Sequence, residues 1–286
     1  MIEKLMLGTV QFGLDYGVAN KDGQVPYRKV LRILENAYRR GIRFLDTAIS
    51  YGDSEKVLGR ALDELGLNGA FNIVTKIRPL PADITPDEAA ELIRESLEES
   101  LSNLRCRHLY GCMFHREEEL RFLPLLRKFR EQGIIEKYGI SIDSAAVATE
   151  EIHCDILQLP MNILDRRFEN LRTDAEIFAR SAFLQGLLLM DETDIPAALA
   201  PLKAEAARFE PIRRELGVSR MEFCLRYNLS KHPLNRVLIG VNTEEQLDMN
   251  MDAAAKGPLP EAVMTQIEAL RRPLPEEWIR PRLWPR

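Results

Sequence analysis

A short apolar run, a polar or glycine-rich loop and a segment of helical periodicity follow one another repeatedly along 286 residues. Leu5, Met6 and Leu7 are closed by Gly8. A glycine-rich stretch to Gly23 then leads to a helix from about Pro26, with Val30, Ile33, Leu34 and Ala37 on one face. Residues 43–45 form the second extended run; Ser54 then reads as an N-cap before Val57, Leu58, Ala61, Leu62 and Leu65, and Gly66 as the stop. Residues 71–74 form the third, after which Thr85, Pro86 and Glu88 combine a capping box with proline at the first helical position of a long helix. Further extended candidates lie at 109–114, 137–140, 155–159, 177–182 and 236–241, mostly separated by helical patterns.

Strands alternating with helices imply parallel strands joined by right-handed crossovers, and eight such units close most readily into an α/β (β/α)8 TIM barrel. A doubly wound open sheet competes, but no G-x-G-x-x-G and no Walker loop follows any strand. The stretch between the seventh and eighth strands holds helical patterns at 196–216 and 219–229, which read as an insertion. No linker divides the chain. Residues 1–286 are therefore expected to form one barrel domain, with 272–286 a tail packing near its mouth.

Composition limits the function classes. At 45% hydrophobic and 29% charged, the chain has the profile of an ordinary globular protein, against disordered, collagen-like or coiled-coil alternatives. Apolar runs such as 183–190 are too short to cross a bilayer, and no charged-then-apolar leader follows Met1, so a cytoplasmic protein without membrane contact is expected. Cys106, Cys112, Cys154 and Cys224 show neither a C-x-x-C pair nor metal-ligand spacing, which predicts buried thiols and no metal. A net charge of −5 opposes a nucleic-acid surface, although the last sixteen residues carry five arginines against two glutamates.

In such a barrel, polar residues just beyond the strand C-termini are the candidates for chemistry. Asp46 ends the second strand, Tyr51 lies in the loop behind it, Lys76 ends the third and His115 the fourth. Singly, each has an ordinary reading as a helix-side cap, a rim aromatic, a snorkelling lysine and a satisfied loop histidine. Together they deliver a carboxylate, a phenol, an ammonium and an imidazole to one mouth, which is a proton-transfer set. A phenol near pKa ~10 is a poor acid at neutral pH unless a cation favours its anion, and Lys76 is that cation. Asp46 would orient Lys76, His115 would hydrogen-bond the substrate oxygen or the phenol, and Tyr51 would protonate a forming oxyanion. Bond-making electrons must come from elsewhere, most simply from a nicotinamide hydride donor.

These residues sit in segments that resemble the aldo-keto reductase superfamily over nearly the whole chain. LGTVQFG resembles the family's first strand and loop, with Gly8 and Thr9; GIRFLDTAISYGDSEKVLGRAL carries Asp46 and Tyr51; IVTKI carries Lys76; and MFHREEE carries His115. The resemblance implies NADPH- or NADH-dependent reduction of an aldehyde or ketone, with those four residues as the catalytic tetrad. KYGIS ends in Ser141 but is followed by Ile142 where the family has asparagine. Gln158 and Asn162 match the family's carboxamide pocket, and Arg180-Ser181 replaces an aromatic-serine pair, a guanidinium plane taking the ring's place.

VLIGVNTEEQLDMNM resembles the family's adenosine loop and helix, with Gly240, Asn242, Thr243, Gln246 and Asn250 at contacting positions and no basic residue between Gly240 and Met251. Selectivity for a 2′-phosphate should therefore be low or reversed, unless a basic residue reaches in from another loop. Gln11, Asp15 and Tyr16 lie beside the expected mouth as candidate contacts to a hydroxyl-rich, sugar-like substrate. In the tail, Trp278 and Trp284 are read as a barrel cover, with Arg280, Arg282 and Arg286 as candidate recognition groups.

A monomer or small homo-oligomer acting on a small carbonyl compound is the expectation. Two alternatives remain open at this level: a non-redox dehydratase or epimerase on the same scaffold, motivated by Ile142 and the missing basic contacts, or a cofactor-sensing barrel subunit with little turnover.

Overall fold

In the computed structural model, which describes residues 1–148, 152–191 and 193–284, the eight extended runs are parallel strands. They are β1 (Leu5–Gly8), β2 (Phe44–Asp46), β3 (Asn72–Lys76), β4 (Leu109–Phe114), β5 (Ile135–Ser141), β6 (Ile156–Pro160), β7 (Glu176–Arg180) and β8 (Arg236–Gly240). Each pairs with the next and β8 pairs with β1, so the barrel is closed and the open-sheet alternative falls. Among the described residues, no barrel strand has an unpaired edge.

The barrel interior is filled by Met6, Phe44, Val74, Met113, Ile156 and Phe178, one from each of six strands. The intervening residues face outward into a larger cluster shared with the surrounding helices, among them Leu7 and Leu45 with Ile93 and Leu97 from the helix Pro86–Leu104. That helix starts as the sequence predicts, Thr85 accepting from the Glu88 amide in a reciprocal capping box. A third cluster joins the β7–β8 insertion to the tail through Leu202, Phe223, Tyr227, Ile279 and Trp284.

Three local expectations change. The single helical pattern at 196–216 divides into a 3-10 turn, a helix Ala200–Ala207 and a second helix Glu210–Leu216. Pro211 has no N–H to give an interior helical turn, so it starts a new helix instead of continuing the old one. The seventh strand stops at Arg180 instead of 182, because Ser181 turns the chain at a φ of +60°. A short helix, Val10–Gly13, occupies the first loop, where only a glycine-rich stretch was legible. Among the described residues, the β5–β6 and β6–β7 connections run through turns without helices.

Candidate active site

Strand alternation decides which side chains enter the barrel. Phe44 and Val74 point inward, so Asp46 and Lys76, two residues further on, point inward above them; by the same count Gln158 follows Ile156, Arg180 follows Phe178 and His115 follows Met113. Five polar side chains from five strands are thereby stacked on one apolar layer at the C-terminal mouth. Lys76 is 1% exposed, and its Nζ donates to Asp46 Oδ1 at 2.7 Å, Asp46 Oδ2 at 2.8 Å and the Thr47 carbonyl at 2.9 Å. Gln158 Nε2 also donates to Asp46 Oδ1, at 2.7 Å. The ammonium is thus held by Asp46 and the Thr47 carbonyl, with the Tyr51 hydroxyl also in hydrogen-bond contact.

Tyr51 is brought to this pair by its loop. Its ring centroid lies 5.0 Å from Lys76 Nζ, and His115 stands edge-on to it, 5.7 Å between centroids at 90°. Ser50 Oγ lies 3.3 Å from His115 Nδ1. A buried hydroxyl knot anchors the loop: Ser54 Oγ donates to the Thr9 carbonyl at 2.8 Å and lies 2.9 and 3.1 Å from the hydroxyls of Thr9 and Thr47. Glu55, next along the same helix, accepts from Thr75 Oγ1 at 2.5 Å, tying the helix behind Tyr51 to the strand that presents Lys76.

The electrostatics follow from burial. Burial works against the Lys76 charge, yet Asp46 and the Tyr51 phenol together hold its pKa above that of an ordinary lysine. For Tyr51 the sequence predicts a phenol acidified by Lys76. In the structure burial is the larger effect, Lys76 opposing and Asp46 reinforcing it, and the pKa is raised. Burial also pushes His115 down to about 3, with Lys76, Arg180 and Arg116 adding to it, so the imidazole is neutral at physiological pH. At neutral pH the site therefore holds a protonated phenol, an ammonium and an uncharged imidazole.

A cleft of about 830 Å³ runs from Tyr51 and Asp46 across β1 to the far side of β8. Gly8, Thr9, Gln158, Arg180, Ser181, Gly240, Asn242, Gln246 and Asn250 line it, as do Gln11 and Tyr16. Ser141 is buried at the end of β5 outside this lining, and Thr243 is spent as the N-cap of the helix Glu244–Ala255, accepting from Gln246 N at 3.2 Å. Asp15 is also off the lining but accepts from Asn20 Nδ2 at 3.0 Å. The cleft has the character of a site for a ligand rich in donors, because three buried carboxamide oxygens, Gln11 Oε1, Asn242 Oδ1 and Asn250 Oδ1, have no partner. Unpaired buried acceptors are costly, and a bound molecule carrying hydroxyl and amino groups would satisfy them. A nicotinamide dinucleotide fits that donor set.

The Arg180 guanidinium lines the cleft and is anchored through its edge. Its Nη2 donates to Asp143 Oδ1 at 2.9 Å and to the Ile142 carbonyl at 3.2 Å, so the strand-end position that lacks an asparagine amide serves through its backbone. Asn162 is spent internally, donating to the Ser181 carbonyl at 3.0 Å. Asp143, which sequence reasoning missed, also holds Arg280 at 2.9 Å and Arg282 at 2.8 Å from the tail. Its signal was its position, a carboxylate two residues after a strand C-terminus. Arg286 lies outside the described residues.

The pattern of the Aldo/keto reductase family matches residues 4–272. The chain belongs to the aldo/keto reductase family. Among its relatives, the L-galactose dehydrogenase of Arabidopsis thaliana is 22% identical over 279 residues, covering 88% of this chain and 87% of that one. The D-arabinose 1-dehydrogenase of Saccharomyces cerevisiae is 25% identical over 256 residues, covering 77% and 75%. Among solved structures, the holo form of an aldo-keto reductase from Bacillus halodurans superposes with a TM-score of 0.74 at 20% identity, covering 94% of this chain and 92% of that one. The glycerol dehydrogenase of Gluconobacter oxydans gives 0.70 at 22% identity, covering 93% and 90%. This aldo/keto reductase thus shares its barrel with oxidoreductases along almost its whole length.

Proposed function

We propose that this aldo/keto reductase reduces the carbonyl group of a small polyhydroxylated aldehyde or ketone, with Tyr51 as general acid and NADH or NADPH as the reductant. The observation that carries the reading is the Lys76 ammonium, bonded to both oxygens of Asp46 and 5.0 Å from the ring centroid of Tyr51. A reduced dinucleotide in the cleft supplies the hydride; this chain's own residues supply position, charge and the proton. Tyr51 donates its hydroxyl proton to the carbonyl oxygen as negative charge develops there, and the carbonyl becomes an alcohol. Lys76 stabilises the phenolate left behind, and Asp46 keeps Lys76 charged and aimed. Neutral His115 can give one hydrogen bond to the substrate oxygen without competing as an acid.

The substrate class rests on the mouth's polar lining, where Gln185 Nε2 donates to Tyr16 Oη at 3.1 Å and Gln11 lies alongside. Relatives bearing the names of sugar and glycerol dehydrogenases agree with a hydroxyl-rich substrate. Tyr51→Phe is expected to lower kcat on sugar aldehydes by about 10²–10⁴, the usual worth of positioned acid catalysis, while dinucleotide binding followed by fluorescence persists. A Phe variant that turns over at the native rate would remove Tyr51 from its role.

A further inference from the structure

Which of its two ring nitrogens carries the hydrogen decides what His115 can do. Its charge is suppressed by burial and by Lys76, Arg180 and Arg116, so at neutral pH the ring holds one N–H and one lone pair. An N–H turned to the reacting carbonyl binds the oxyanion as it forms. A lone pair there would accept from the Tyr51 hydroxyl instead and hold back the proton that the carbonyl needs. The tautomer is therefore part of the chemistry, and a partner on the other nitrogen is what sets it.

That partner is Ser50, whose Oγ lies 3.3 Å from Nδ1, while Nε2 makes no bond among the described residues. Hydroxyls donate or accept, so the contact alone admits both tautomers, but the surroundings separate them. Ser50 is exposed and its hydroxyl makes no other bond to the described residues, so water can donate to its oxygen while its own O–H points to Nδ1. The reverse arrangement spends the ring's single donor on an exposed hydroxyl and leaves Nε2 a bare acceptor in a ring that stands edge-on to Tyr51. Among the described residues no carboxylate hydrogen-bonds this ring, so the hydroxyl orients it without drawing it towards the charged form. Ser50 also shares its turn with the acid: Tyr51 N donates to the Ala48 carbonyl at 3.0 Å, Ile49 N to the Lys76 carbonyl at 3.4 Å and Ser54 N to the Tyr51 carbonyl at 3.0 Å. One short segment, bonded to the strand end that presents Lys76, thus sets the phenol and the imidazole's anchor in register.

We propose that Ser50 is a positioning residue: by donating to Nδ1 it fixes His115 as the Nε2–H tautomer and aims that N–H at the substrate oxygen, a role that rests on the reductase reading above. Long-range 15N–1H spectra of the full chain at pH 7 distinguish a protonated from a bare ring nitrogen, and a His115→Gln sample identifies this ring among the four histidines. The native chain is expected to show Nε2 protonated and Nδ1 bare. Ser50→Ala should mix the two tautomers and lower kcat on glyceraldehyde about three- to tenfold, roughly the factor that one neutral hydrogen bond makes. The loss should fall on kcat and spare KM, because the bond tightens as the oxyanion forms. Urea midpoint and dinucleotide affinity should stay native, since Ser50 is exposed and outside the cleft lining. Ser50→Thr keeps the hydroxyl and should restore both tautomer and rate. A native spectrum with the proton on Nδ1 overturns the assignment, and a Ser50→Ala protein with native kcat overturns the role alone. A native chain inert towards every aldehyde overturns the reductase reading and this role with it.

Discussion

A histidine that stays neutral down to about pH 3 gives the site a distinctive pH response. The His115 imidazole, at about 3 when folded, takes a proton near its ordinary ~6.5 once unfolded. Between those limits the unfolded chain binds more protons than the folded one, so this residue's contribution to stability is complete above about 6.5 and is lost as pH falls towards 3. Urea midpoints measured at pH 7 and pH 4.5 should therefore fall less on acidification in His115→Gln than in the native chain; equal losses would place the imidazole in water. Catalysis should show no inflection near 6.5 in kcat/KM. Because Tyr51 and Lys76 both titrate above their ordinary values, activity should decline only on the alkaline side. At this scale the four catalytic candidates were legible, because strand parity and loop position are written in the residue order. The direction of the Tyr51 shift was not, since no sequence pattern states how much water a loop tyrosine keeps.

Elements set how closely the acid loop is held. The short helix Val10–Gly13 lies against the Tyr51 loop so tightly that a Cβ on Gly13 would collide with the Tyr51 carbonyl oxygen and the Ser54 amide. Gly52, at a φ of +56°, meets Gly13 from the other side, with 2.5 Å between its would-be Cβ and the Gly13 carbonyl oxygen. Backbone therefore packs on backbone beside the proposed acid, and overpacking there typically costs about 1–3 kcal/mol. Gly13→Ala is expected to lower the unfolding free energy by that amount and to reduce kcat more than tenfold, since displacement of a catalytic group by ~1 Å is enough for such a loss. A kcat unchanged in a destabilised Gly13→Ala protein would uncouple the helix from catalysis. The sequence marks Gly13 only as part of a glycine-rich loop and Gly52 only as the residue after Tyr51; the contact that gives them their purpose joins residues about 40 positions apart, a separation at which periodicity carries no information.

The whole molecule was the most legible level at its centre and the least at its rim. Eight alternations of extended and helical pattern favour closure, because the open sheet that would bury both strand faces equally well lacks its glycine-rich phosphate motifs here. The tail carries no such constraint, and its attachment emerges only in three dimensions. Trp284 is 8% exposed and donates from Nε1 to the Trp278 carbonyl at 2.9 Å, packing with Ile279 on the insertion helices, while Arg280 and Arg282 reach Asp143 and Glu117 at the β5 and β4 ends. Because Asp143 also holds Arg180 in the cleft, the tail and the mouth share one carboxylate, and the two kinds of contact should fail differently. Trp284→Ala removes a buried aromatic and is expected to cost about 3–5 kcal/mol of stability with little effect on KM. Arg280→Ala leaves that anchor in place and Asp143 still paired by Arg180 and Arg282, so its stability cost should be smaller. Its effect should appear instead as a raised KM for the carbonyl substrate at unchanged NADH affinity, as Arg180 settles differently against Asp143. Thermal melts and steady-state kinetics on the two variants separate these outcomes, and an Arg280→Ala protein with native KM would reduce the tail to a cover.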